Sequence, residues 1–146
     1  MKTTPAVIAI AALILVTISP VYAQGPEWET LAKEAEELYR TGKYERAVVV
    51  AKTALEVAEK NAGPNHPDVA TSLNTLASLY QVQGQYAEVE PLFKRSLAIM
   101  EKALGPDHPN VAQSLENIAV LYRATQRDKE AEKLERRAVS IRAIKR

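Results

Sequence analysis

The feature that most restricts this chain is the spacing of its glycines: Gly42 and Gly84 stand 42 residues apart, and so do Gly63 and Gly105. The prolines keep the same ruler. Gly63-Pro64-Asn65-His66-Pro67-Asp68-Val69-Ala70 returns as Gly105-Pro106-Asp107-His108-Pro109-Asn110-Val111-Ala112. Beyond that loop, Ser72, Leu73, Ala77, Leu79, Tyr80, Glu88, Glu90, Leu92, Arg95 and Ile99 each meet the same residue one period on, so 16 of 42 positions are identical. A period of this length marks one supersecondary unit stacked on copies of itself. It excludes a fold wrapped around a single non-repeating core.

Inside each unit the apolar residues recur with helical spacing, as in Val89, Leu92, Phe93, Leu97, Met100 and Leu104, which share one stripe. No stretch of useful length alternates with period two. The pattern therefore predicts an all-α chain of six helices in three antiparallel pairs: 27–41 with 44–61, 67–82 with 86–104, and 109–125 with 128–144. Gly42 and Gly84 close the turns inside pairs, where a residue that must turn left-handed is cheapest as glycine. Pro67 and Pro109 suit the first helical turn, with Asn65 and Asp107 as the expected caps in front of them. Pro91 falls early in its helix.

These landmarks resemble the tetratricopeptide repeat. Its large apolar position is held by Leu31, Leu73 and Leu115, its small position by Ala35, Ala77 and Ala119, and its aromatic position by Leu38, Tyr80 and Tyr122. In the second helix Ala47, Val89 and Ala131 are followed four residues later by Ala51, Phe93 and Glu135. The 42-residue length and the Gly-Pro-x-His-Pro loop resemble the longer variant of kinesin light chains. Glu34 departs from the pattern, standing where Leu76 and Ile118 stand. The resemblance implies an α-solenoid of three helix pairs with a right-handed superhelix. Its repeats fall at about 27–62, 63–104 and 105–146, in a domain over 24–146. Three stacked pairs are the usual minimum for stability, and terminal units are expected to turn a polar face outward. The last helix fits this, with Lys133, Glu135, Val139 and Arg142 where its predecessor has Pro91, Phe93, Leu97 and Met100.

Ahead of the repeats, Lys2 is followed by an apolar run from Ala6 to Ile18, a helix-breaking Pro20, and the small residues Val21 and Ala23. This predicts a secretory signal peptide over residues 1–23, cleaved after Ala23, and a periplasmic or secreted product. An uncleaved membrane anchor is the competing reading, though the run is shorter than the roughly 20 residues a span requires. No membrane span is expected after cleavage. Without Lys2 the chain balances 18 basic against 18 acidic residues. No global field attracts nucleic acid, so no nucleic-acid partner is expected.

The absence of Cys removes disulfides, thiolate metal sites and a Cys nucleophile, and only His66 and His108 carry imidazoles. Those two occupy equivalent loops one repeat apart, too far to share an ion whose ligands sit about 2.1 Å away. No nucleophile–base pairing, phosphate loop or dinucleotide fingerprint is present. The expectation is a non-enzyme with no cofactor and no metal. Tyr44, Tyr80, Tyr86 and Tyr122 read as core and turn residues.

In a stack of helix pairs the first helices line a groove, and the one-face spacing i, i+3, i+7, i+10 assigns its residues. Row one is Glu29, Ala32, Glu36, Tyr39 and Arg40; row two is Thr71, Asn74, Ser78, Gln81 and Val82; row three is Gln113, Glu116, Val120, Arg123 and Ala124, with Asn117 at the edge. The predicted partner-binding residues are Glu36, Tyr39, Arg40, Asn74, Ser78, Gln81, Glu116, Asn117, Val120 and Arg123. Amides suit a peptide backbone because each both donates and accepts. With only Arg40 and Arg123 basic, the rows do not favour an acidic terminus as ligand. The predicted function is a protein–protein interaction module that takes an extended or helical partner segment in this groove. Two alternatives stand beside it. One is a structural solenoid that associates with itself, as a weak homodimer. The other is an envelope-surface adaptor using the basic tail Arg136, Arg137, Arg142, Lys145 and Arg146.

Overall fold

The computed structural model describes residues 24–144, which contain six α-helices and no strand. They are α1 (Gln24–Arg40), α2 (Tyr44–Ala62), α3 (Pro67–Val82), α4 (Tyr86–Leu104), α5 (Pro109–Ala124) and α6 (Asp128–Ile144). The signal-peptide reading of residues 1–23 falls outside this range, as do Lys145 and Arg146. Each helix packs on the next, and α1 also touches α3. The chain is thus three antiparallel pairs in a row. No helix among the described residues is long and apolar enough to cross a membrane.

The turns follow from backbone requirements. Gly42 and Gly84 close their pairs with φ of 74° and 73°, and the amide behind each reaches five residues back, Lys43 to Leu38 and Gln85 to Tyr80, both at 2.9 Å. Gln126 holds the same place in the third pair at φ 62°, and Arg127 N donates to Tyr122 O at 2.7 Å. A glutamine there accepts the strain that glycine avoids. Between pairs, Gly63 and Gly105 sit at φ near 90° with extended ψ, a region essentially reserved for glycine.

The caps in front of Pro67 and Pro109 differ from the expectation. His66 and His108, not Asn65 and Asp107, hold the N-cap positions, and their Nδ1 atoms accept from Asp68 N at 3.2 Å and Asn110 N at 3.1 Å. The physical reason is that Pro at the first helical position has no N–H, so the first donor in need is one residue further on. Only the residue directly before the proline reaches it. Pro91 is the sixth residue of α4, early in the helix as expected. It removes the helical donor to the carbonyl of Ala87, which is exposed and open to water.

The core forms along the interfaces between pairs. Leu38, Ala47, Ala51, Leu76 and Leu79 fill the first; Ala77, Val89, Phe93, Ile118, Leu121 and Tyr122 fill the second. A further cluster of Ala58, Val69, Leu73, Ile99, Met100, Leu115 and Ile141 runs along the other end of the helices. Polar braces recur with the period: Arg95 reaches Glu59 at 2.6 Å and Pro64 O at 3.4 Å, and Arg137 reaches Glu101 at 2.5 Å and Pro106 O at 3.4 Å. One junction is special. Glu90 receives Lys94 Nζ at 2.7 Å, Arg127 Nη1 at 2.7 Å and Tyr122 Oη at 2.8 Å, and the Arg127 guanidinium lies 3.8 Å from the Tyr122 ring centre. These bonds, with Lys94 foremost, outweigh burial and hold its carboxyl at about 2.

Both ends of the stack are charged where its interior is apolar. Glu27, Glu34 and Glu37 of α1 stand where α3 has Val69, Leu76 and Leu79 and α5 has Val111, Ile118 and Leu121, all six at most 4% exposed. At the opposite end Glu135 and Arg142 replace Phe93 and Met100. Polar terminal faces of this kind keep a solenoid from continuing.

Candidate partner-binding site

Two clefts lie between the first helices of successive pairs. The first, of about 230 Å³, is bounded by Trp28, Glu29, Ala32, Lys33 and Glu36 of α1 and by Thr71 and Thr75 of α3. The second, of about 300 Å³, is bounded by Thr71, Asn74, Thr75 and Ser78 of α3, Asn110 and Gln113 of α5, and Met100 of α4. Thr71 and Thr75 belong to both, so the clefts form one continuous track. One helical turn separates the two threonines, and each hydroxyl donates to the carbonyl four residues back, Thr71 to Pro67 at 3.2 Å and Thr75 to Thr71 at 3.1 Å. Their methyl groups are thereby left to the track. Trp28, the single tryptophan of the chain, donates its indole N–H to Ser72 Oγ at 2.8 Å and so fixes the wall between α1 and α3.

Asn74 carries the distinctive chemistry. Its Oδ1 is buried and has no hydrogen-bond partner among the described residues, although Asn74 borders an open cleft. A buried acceptor left empty costs about 1–3 kcal/mol. Such an atom is satisfied by an ordered water or by a donor that reaches it through the cleft.

The sequence-predicted residues divide between the clefts and their surroundings. Glu36, Asn74 and Ser78 line the track. Tyr39 is 37% exposed and meets Tyr44 edge-on with ring centres 5.8 Å apart, and Arg40 pairs with Glu37 at 3.4 Å. Gln81 is half-buried and Val120 exposed, and neither borders the two clefts. Asn117 Oδ1 accepts from Gln113 Nε2 at 3.2 Å. The charges of row three turn toward the last helix: Arg142 donates from Nε and Nη2 to both Glu116 oxygens at 2.8 Å. Arg123 donates to both Glu135 oxygens, at 2.8 and 3.2 Å, and to Asp128 at 3.2 Å. The bond from Arg142 pulls the Glu116 carboxyl below the usual carboxylate range, and that from Arg123 does the same to Glu135. The charges of row three are thus occupied from within the chain, while Gln113 still borders the second cleft. Of the basic tail, Arg137 and Arg142 are spent in the same way on Glu101 and Glu116.

Trp28, Lys33, Thr75, Met100 and Asn110 also border the track, and row spacing alone missed them. Lys33 and Thr75 lie 84 and 42 residues before Asn117, so the period that placed Asn117 also reaches them. Trp28 stands where the other repeats have Ala70 and Ala112, and that exchange was the available signal. Met100 enters from a second helix and left no mark in the first-helix rows.

Three successive helix pairs stack with a 42-residue period, and the tetratricopeptide repeat profile matches residues 30–102 and again 72–143. The chain belongs to the tetratricopeptide repeat family. Solved structures share the arrangement. BtubC (BKLC) from P. vanneervenii superposes with a TM-score of 0.77 at 23% identity, over 82% of this chain and 47% of that one. A Podosopora anserina kinesin light chain protein with nearly identical TPR-like repeats gives 0.72 at 27% identity, over 80% and 56%. The TPR domain of Arabidopsis FLU gives 0.69 at 21% identity, over 80% and 95%. This chain therefore spans about half the length of the first two. No curated protein matches it. The tetratricopeptide repeat solenoid is a scaffold for protein–protein interaction, and the candidate track lies between its first helices.

Proposed function

We propose that this tetratricopeptide repeat protein is exported and binds an extended segment of a partner protein along the track between α1, α3 and α5. The observation that carries the reading is the continuous track bordered by Thr71 and Thr75, with Asn74, whose Oδ1 has no partner among the described residues, beside them in the α3–α5 cleft. An extended chain offers a backbone N–H at alternate residues, which suits a single fixed acceptor better than a folded surface does. The threonine and serine hydroxyls and methyls around it favour small or polar side chains. Export rests on the apolar run and the Val21–Ala23 cleavage pattern of the sequence. Self-association is disfavoured by the acidic and ion-paired end faces, and the basic-tail reading by the pairing of Arg137 and Arg142.

Selection of peptides from a randomised display library on the mature chain tests the proposal. Bound peptides are expected to shift the emission of Trp28 and to lose affinity for a Thr75→Arg variant that unfolds at the parent's temperature. Peptides that bind parent and variant equally would overturn it.

A further inference from the structure

The two clefts of the track differ in charge, and that difference orients and specifies what lies in it. The α3–α5 cleft is bordered by hydroxyls, amides and one thioether, with no charged side chain. The α1–α3 cleft is bordered by Glu29 and Glu36 against a single Lys33, with Trp28 as its aromatic wall. Glu29 and Glu36 lie seven residues apart, two helical turns on one face, and neither makes an ion pair among the described residues. They contrast with Glu116 and Arg123, the charges of row three, which α6 neutralises.

We infer that the partner segment carries one Lys or Arg side chain, seated in the α1–α3 cleft between Glu29 and Glu36 and beside Trp28, while its neutral part crosses Asn74. Three features act together here. Carboxylates at both ends of the cleft attract a cation, and a guanidinium can donate to either one. A tryptophan wall is the most favourable aromatic surface for that cation. Both carboxylates are exposed and make no ion pair among the described residues, so each can reach the cation. Lys33 is the one competing cation, and it leaves the cleft with a surplus of negative charge.

Register follows from helix spacing. Neighbouring helices sit about 8–10 Å apart, and an extended chain advances about 3.3 Å per residue. The basic residue therefore lies roughly three positions from the residue whose N–H reaches Asn74.

This inference rests on the groove reading, and one experiment separates the two. Peptides selected from a randomised library on the parent chain are sequenced and measured by Trp28 emission against four variants. These are the parent-like Glu29→Gln/Glu36→Gln double variant, Lys33→Ala, Thr75→Arg and Asn74→Leu. The expected result is a shared Lys or Arg at one position of the selected peptides. Affinity should fall about tenfold in the double variant and rise severalfold in Lys33→Ala. Salt between about 0.05 and 0.5 M should weaken binding to the parent more than to the double variant. Asn74→Leu should bind less yet unfold at a higher temperature, a pairing that a purely structural asparagine would not produce. Peptides that lose binding to Thr75→Arg but lack a shared basic residue would overturn the charge inference and leave the groove. Peptides indifferent to Thr75→Arg, or no enrichment over bare support, would overturn both.

Discussion

Glu90 offers the most quantitative test of how the repeats are joined. Its carboxylate gathers Lys94, Arg127 and Tyr122 at 2.7, 2.7 and 2.8 Å, linking α4 to the third pair, and its proton affinity falls from the usual 4.5 to about 2. Each tenfold change in proton affinity is worth about 1.4 kcal/mol, which sets a ceiling of about 3 kcal/mol. Lys94 and Arg127 are partly exposed, so solvent screening brings the contribution to about 1–2 kcal/mol. The sign is that of a depressed acid. The stabilisation is complete above the unfolded value of 4.5 and disappears as the pH falls toward 2. Glu90→Gln should therefore lower the urea-unfolding free energy by about 1–2 kcal/mol at neutral pH. The gap between parent and variant should narrow below the unfolded value of 4.5 and close as the pH nears 2. Other carboxylates titrate in both chains, so the difference isolates this one. A gap that stays constant across the acid range, or no gap at neutral pH, would refute the reasoning.

Other substitutions probe the turns, the core and the ends. Gln126→Gly relieves a left-handed glutamine at φ 62°, and its thermal unfolding is expected to rise by an amount equivalent to about 0.5–1 kcal/mol. Phe93→Ala opens a cavity at a side chain 1% exposed, and denaturant unfolding should show a loss of about 3–5 kcal/mol. The triple change Glu27→Val, Glu34→Leu, Glu37→Leu restores the interior pattern on the outer face of α1. Light scattering is expected to show self-association that the parent lacks at the same concentration.

The period fixed the number of pairs, because Gly42 and Gly84 turn as their spacing requires and Val69, Leu73 and Leu76 bury as their stripe requires. Row spacing led to Asn74, Ser78 and Glu36 because a helix face is set by its own geometry. It could not find that Arg123 meets Glu135 or that Glu116 meets Arg142, since those pairs form only when α6 folds back on α5. The same limit hid Met100, which reaches the track from a neighbouring layer. The histidine caps were obscured for a different reason. Asn and Asp are the commoner caps, and only the missing N–H of the following proline selects the imidazole next to it.

The most direct test of the central claim is amide and indole chemical-shift mapping of residues 24–146 with a selected peptide bound. The account predicts that the largest changes fall on the Trp28 indole, Thr71, Asn74, Thr75 and Ser78, with the Asn74 side-chain amide among them. Changes concentrated instead on the outer surfaces of α2, α4 and α6, with the α1–α3–α5 face unmoved, would contradict it.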